Sequence, residues 1–151
     1  MTSRVHLEGR PIVITGGGTG IGGATAIACN AARMPVVIAG RRPEPLQAIF
    51  DQLDNALVVQ VDVTDPDHVH ILLDAAEEAF GPPWAVLANA GHGLDRTAHG
   101  TSLEAMREIF ETDFFSTYLL LQEAAKRMIS HNQGGHLLAT ASCVSKFAPP
   151  Y

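Results

Sequence analysis

Short apolar runs alternate along this chain with longer stretches whose apolar residues recur every three to four positions. The runs predict β-strands over 12–15, 35–39, 56–61, 84–88 and 136–140. Val36, Val37 and Ile38 follow one another without a polar break, as in a strand covered on both faces. The longer stretches predict helices over 20 to about 33, 43–53, 66 to about 80, and 102 to about 131. Local punctuation supports these limits. Pro45 falls in a first turn, where a missing N–H costs little. Thr64 or Asp65 can cap a helix with Pro66 just inside it. Gly81-Pro82-Pro83 and Asn132-Gln133-Gly134-Gly135 are stops. Five strands joined by crossovers read as βαβ repetition in one α/β domain with a parallel, doubly wound sheet. No linker, low-complexity tract or repeat interrupts it.

The first crossover carries the most specific chemistry. Thr15-Gly16-Gly17-Gly18-Thr19-Gly20-Ile21-Gly22 joins strand to helix. Glycines permit positive φ and let a diphosphate approach the backbone, and the helix N-terminus offers free N–H groups and a positive dipole end. Side chains at Gly16 or Gly22 would fill space needed by a cofactor or by helix–strand packing. A glycine cluster alone also makes plain turns, so the assignment depends on the motifs that close the other strands.

In doubly wound sheets, ligands bind outside the C-terminal strand ends, at the point where strand order reverses. Every other motif in the chain lies just after a strand: Arg41, Asp62, Asn89-Ala90-Gly91 and Ser142. The region after the second strand reads Ala39-Gly40-Arg41-Arg42. It has no carboxylate to bind a ribose 2′-hydroxyl, and a guanidinium there can pair with a 2′-phosphate. This charge logic favours NADP over NAD. The competing readings are ordinary solvated arginines, and turn-forming roles for Asp62, for Asn89–Gly91 and for the Ser142 hydroxyl.

Composition narrows the class. The chain has 151 residues, 46% of them hydrophobic, enough for one domain with a real core. A net charge of −6 and the lack of a basic stripe argue against a nucleic-acid partner. No run approaches a membrane span, and the first residues have no signal-peptide pattern, so a soluble cytoplasmic protein is expected. Cys29 and Cys143 read as reduced, packed thiols rather than a disulfide framework. The seven histidines show no metal-ligand spacing, and His68 and His70 do not share a helix face. No metal is expected.

The spacing T-G-x-x-x-G-x-G, followed in order by Gly40-Arg41-Arg42, Asp62-Val63, Asn89-Ala90-Gly91 and the Ser142 region, resembles the short-chain dehydrogenase/reductase family over essentially the whole chain. The resemblance implies a Rossmann sheet of order 3-2-1-4-5, bound NADP or NAD, and a small-molecule alcohol or carbonyl substrate. It implies cofactor roles for Gly16, Gly18, Thr19, Gly20, Ile21, Gly22, Arg41, Asp62, Val63, Asn89, Ala90 and Gly91. Asp62 would lie near the adenine amino group with Val63 against the ring. Asn89 would brace the neighbouring strand. The family usually has Asn-Asn-Ala-Gly, and Ala88 replaces the first Asn here.

The implied chemistry is hydride transfer, with a Tyr as acid/base, a Lys that lowers its pKa, a Ser on the substrate oxygen and an Asn on the long helix. A free phenol has a pKa of about 10, so the ammonium is needed near neutrality. Ser142 occupies the Ser position. Asp113 stands where the Asn is usual, and it cannot donate as an amide does. The Tyr of Tyr-x-x-x-Lys would come roughly a dozen residues after Ser142. Tyr151 comes too soon and has no Lys after it, and Lys146 precedes it. Tyr151 is therefore assigned to a loop beside the site and not to catalysis. The sequence is expected to be the N-terminal cofactor-binding portion of a longer fold, without its last strands and helices. Part of Leu119, Leu120 and Leu121 and the fifth-strand edge would then be exposed, favouring poor stability or a homo-oligomer. The alternative reading is a non-catalytic NADP-binding module; a methyltransferase-type Rossmann domain fits the motifs less well. The substrate is not legible, although the segment around His92, Leu94 and His99 is placed at the pocket mouth.

Overall fold

The computed structural model describes residues 6–93, 96–142 and 146. Five parallel strands run in the order β3-β2-β1-β4-β5: β1 Ile12–Thr15, β2 Val36–Gly40, β3 Ala56–Gln60, β4 Ala85–Ala88 and β5 His136–Ala139. The order reverses between β1 and β4, where Ile12 pairs with Val36 on one side and with Ala85 on the other. This is the sheet the sequence implies.

Helices α1 Gly20–Ala31, α2 Pro43–Phe50 and α3 Pro66–Phe80 connect the first four strands. Two apolar layers sandwich the sheet. Ile14, Val36, Ile38, Ala26 and Leu46 make one, between the sheet and α1 and α2. Val13, Val37, Val86, Leu72, Leu73 and Leu120 make the other. Adjacent residues of β1 and β2 thus point to opposite faces and both are buried, which explains the unbroken apolar runs.

The caps follow local chemistry. Asp65 accepts a hydrogen bond from the N–H of Asp67 at 2.9 Å at the start of α3. Gly81 ends that helix with φ at +80°. The first helix stops at Ala31, sooner than the sequence predicts. Arg33 turns the chain at φ +61°, and the N–H of Met34 bonds back to the Cys29 carbonyl, which seats Met34 in the core. The second helix also ends earlier, at Phe50, as three consecutive backbone bonds tighten the chain into a turn.

The long fourth helix is not uniform. It comprises α4 Leu103–Ile109, a π-helical segment Phe110–Phe115, and α5 Ser116–Ser130. The Ser116 N–H reaches the Glu111 carbonyl five residues back, while its buried hydroxyl donates to the Thr112 carbonyl. Such insertions re-aim side chains and are invisible to a 3.6-residue periodicity. Against α3, Arg127 pairs with Asp74 at 2.7 Å and Glu77 at 3.2 Å, so α5 is held by charge as well as by Leu120 and Met128.

Every residue of β5 is exposed, Leu137 and Leu138 by more than two fifths. Leu120, in contrast, is buried against the sheet, while Leu119 and Leu121 are half-buried. Leu103, Met106, Phe110, Phe114, Phe115 and Tyr118 of the fourth helix are also exposed, which the sequence did not anticipate. Phe114 stands edge-on to Phe115, with ring centroids 5.4 Å apart. Among the described residues no helix is long and apolar enough to cross a membrane, and no cluster of three His, Cys, Asp or Glu residues could hold a metal ion. Cys29 is a free, half-buried thiol whose pKa is raised by burial. Leu94, Cys143 and Tyr151 lie outside the described residues.

Candidate cofactor cleft

Strand β1 ends in Thr15, which is 1% exposed although it carries a hydroxyl. That hydroxyl is fully employed. It accepts the N–H groups of Asn89 at 3.0 Å and Ala90 at 3.1 Å, and donates to the Leu87 carbonyl at 3.4 Å. The Asn89 amide answers from the other side. Its Nδ2 donates to the carbonyls of Thr15 at 3.1 Å and Gly16 at 3.4 Å, and its Oδ1 accepts the Thr140 hydroxyl at 2.8 Å. The C-terminal ends of β1, β4 and β5 are thereby tied together where the strand order reverses. Asn89 braces its neighbours as the resemblance implies, and on both sides.

A cleft of about 680 Å³ opens above this tie. The glycine turn forms one wall. Gly16 has φ +64°, and a Cβ there would stand 3.0 Å from Ala90 Cα and from Asn89 Nδ2. Gly20 has φ +54° and only open space where a Cβ would point. Helix α1 begins immediately after Thr19, which makes no side-chain cap, and its first turn holds no acidic residue. The first N–H groups of α1 thus have no side-chain cap and lie at the positive end of the helix dipole. Gly18, Thr19 and Ile21 share this wall, and Ile21 is 64% exposed, an apolar side chain that the core leaves out. Gly22 does not face the cleft: it is buried behind it, where a Cβ would crowd the Gly16 carbonyl and Asn89 Nδ2. Its place in the motif is a packing requirement.

The opposite end of the cleft holds Arg41, Asp62 and Val63. Arg41 is exposed, its guanidinium 3.9 Å from the Asp62 carboxylate, and Gln60 Nε2 donates to its carbonyl at 3.0 Å. Asp62 also makes the turn contacts open to any Asp, accepting from the Thr64 N–H at 3.0 Å and hydroxyl at 2.8 Å. Burial pushes its pKa up, but the Thr64 bonds, Arg41 and His68 outweigh it and hold the carboxyl below its usual value. Val63 is 6% exposed and offers the cleft a packed apolar floor.

Ala90, Gly91, Asp113 and Ser142 also line the cleft. The π-helical segment turns Asp113 toward the loop after β4, where its Oδ1 accepts the His92 N–H at 3.0 Å. A Cβ at Gly91 would stand 3.1 Å from that oxygen, so glycine permits the close approach. Sequence reading gave no role to the Thr15 or Thr140 hydroxyls, nor to Thr112 and Thr117, which also line the cleft. The available signal was a hydroxyl residue closing each of two apolar strands, a place where the next N–H groups lose their sheet partners.

The site thus unites one apolar floor, one helix N-terminus and one cationic end along a single sheet edge, the layout of a dinucleotide cleft. The sequence model described as "short chain dehydrogenase" matches residues 10–150. An uncharacterized oxidoreductase of Mycobacterium tuberculosis is 30% identical over 95% of this chain and 56% of its own length. L-rhamnose 1-dehydrogenase (NAD(P)(+)) of a Sphingomonas strain is 28% identical over 90% of this chain and 56% of its own length. A crystal structure of a short-chain dehydrogenase/reductase from Mycobacterium marinum superposes with a TM-score of 0.92 at 31% identity, covering 95% of this chain and 60% of that one. Another, from Burkholderia phymatum in complex with NAD, gives a TM-score of 0.92 at 28% identity, covering 97% of this chain and 54% of that one. The chain belongs to the short-chain dehydrogenase family and spans a little over half the length of these relatives.

Replacing Thr15 with Val keeps shape and removes the hydroxyl. Two N–H groups lose their acceptor, and an unpaired buried polar group costs about 1–3 kcal/mol. Thr15→Val should lower unfolding stability by about 2–4 kcal/mol in urea titrations followed by Trp84 fluorescence. A change below about 0.5 kcal/mol would mean that water replaces the hydroxyl and that the tie is dispensable.

Proposed function

We propose that this chain is the NADP-binding portion of an oxidoreductase acting on a small alcohol or carbonyl compound. The observation that carries this reading is the uncapped N-terminus of α1 in the same cleft as Arg41. The residues fit the group. Gly16, Gly18, Thr19 and Gly20 line the cleft at the helix N-terminus, where a diphosphate would sit, and Gly20 leaves open space there. Asp62 and Val63 take the adenine end, and Asn89, Ala90 and Gly91 form the floor. Ile21 supplies an apolar contact. When bound, the nicotinamide supplies or takes up the hydride. Ser142 holds the substrate oxygen by a hydrogen bond. Asp113 keeps the His92 loop in place; as a carboxylate it cannot donate to a relay water as an amide would.

Arg41 and Arg42 present two positive charges at the end of β2, and the nearby Asp62 carboxylate offsets one of them. The remaining charge favours a 2′-phosphate over a 2′-hydroxyl. No Tyr-x-x-x-Lys occurs in the 151 residues. The reading therefore assigns them nucleotide binding and substrate-oxygen contact, with turnover by these residues alone not expected. A second reading, a non-catalytic nucleotide-binding module, draws on Asp113, a carboxylate where the family usually has an amide. We place the protein in the cytoplasm and assign it no nucleic-acid or metal partner.

We also propose that the protein is a homo-oligomer, with the aromatic face of Phe110, Phe114 and Tyr118 covered by a second copy. Contiguous exposed aromatics of this kind are uncommon on monomers.

Two outcomes are expected. By calorimetry the protein binds NADPH more tightly than NADH, and Arg41→Ala lowers NADPH affinity about tenfold while NADH affinity changes less than about twofold. Equal affinities, or an equal loss for both, would reject the NADP assignment. In sedimentation velocity the sedimentation coefficient should exceed that of a monomer, and Phe114→Glu should return it toward monomer. A sharp, concentration-independent monomer boundary for the unsubstituted protein would reject self-association.

A further inference from the structure

Beside the cofactor cleft lies a second cavity of about 550 Å³. The two share three residues, His92, Gly93 and Asp113, so a molecule in the second cavity reaches the first across a common wall. Arg96 lines the second cavity together with the apolar residues Ala98, Met106 and Ile109. Met106 is 41% exposed there, more than a packing role requires. The 3-10 turn Ala98–Gly100 sets this wall, fixed by the Thr101 hydroxyl donating to the Thr97 carbonyl at 2.9 Å.

The charges in this cavity are unequal in availability. Asp113 Oδ1 is already engaged by the His92 N–H. Arg96 has no carboxylate within ion-pair distance among the described residues. A guanidinium offers a planar fork that matches a carboxylate. A phosphate dianion matches it less well here, because the Asp113 carboxylate lines the same cavity and repels the second charge.

We propose that this cavity is the substrate site and that it selects a carbonyl or alcohol compound bearing a carboxylate. The carboxylate pairs with Arg96, a short apolar body rests on Met106 and Ile109, and the reacting carbon faces the wall shared with the cofactor cleft. The proposal rests on the dinucleotide reading of the first cleft for the reaction, but the charge preference is a property of the second cavity alone.

The test measures binding, so it does not depend on turnover. 4-Oxo-4-phenylbutanoate and 2-oxo-4-phenylbutanoate are each titrated beside their uncharged amides, with saturation-transfer NMR as readout, in the presence and absence of NADPH. At least one acid should bind about fivefold more tightly than its amide, the gain of a partly exposed ion pair. The preference should shrink in high salt. Arg96→Ala should abolish it, and Arg96→Lys should restore part of it. Arg96 is exposed, so neither variant should alter the melting temperature. NADPH affinity should not change in either. Equal binding of acids and amides, or a preference that survives Arg96→Ala, overturns the proposal while leaving the dinucleotide reading intact. Failure to bind NADPH with the acid preference retained upholds the Arg96 assignment and overturns the dinucleotide reading.

Discussion

The arrangement depends on one buried tie, the hydrogen bonds between Thr15 and the Asn89 segment. At the reversal of a doubly wound sheet, two neighbouring strands send their chains to opposite faces. The N–H groups just past the strand ends lose their ladder partners, and the gap between the strands tends to splay. Thr15 answers the first problem by accepting two of those N–H groups. Asn89 answers the second by bridging the carbonyls of β1 and the Thr140 hydroxyl after β5. Both residues are needed because neither has enough donors and acceptors to serve three strand ends.

Once the tie is made, the shape of the cleft above it is largely set. The Gly16–Gly22 turn must pass close over Asn89, which explains why a side chain at Gly16 or Gly22 has no room. The turn then delivers α1 with its N-terminus toward the cleft and no side chain spent on capping it. An uncapped helix start costs stability in isolation. Here the strands beneath it are held by Val13, Ile14, Val37 and Ile38 on either side of the sheet. Asp113 extends the same logic to the far wall. The π-helical segment gives up helix regularity to hold the Gly91–His92 loop with one carboxylate oxygen.

Strand positions were legible because the central strands, covered on both faces, are unbroken apolar runs and because glycine and proline punctuate the helices, while the sheet order came from the family resemblance. The glycine turn was legible too, and it lines the cleft at the reversal of strand order. Three features were not. The π-helical segment left no trace in the periodicity, because one extra residue per turn changes bonding more than pattern. The exposed face of Phe110, Phe114 and Phe115 looks, in sequence, like any buried helix stripe; what covers an element is not encoded in its own residues. The early end of α1 hinged on Arg33 adopting a left-handed conformation that glycine or asparagine would have advertised. Asp62 shows a different limit. Its turn-forming contacts are made while it also lines the cleft, so the turn reading does not by itself remove it from the site.

If one sheet edge forms a dinucleotide cleft organised by the Thr15–Asn89 tie, amide chemical shifts followed during an NADP+ titration report it most directly. Saturable shifts are expected at the Gly16–Gly22 turn, in the neighbourhoods of Arg41 and Asp62, over Asn89–His92, and at the other cleft-lining positions Asp113 and Thr140–Ser142. Arg10, which lies over the Trp84 ring, and His136, which meets that ring edge-on, lie at the opposite ends of the strands and should stay in place. Shifts at those opposite ends, or none at the glycine turn at saturating NADP+, would contradict it.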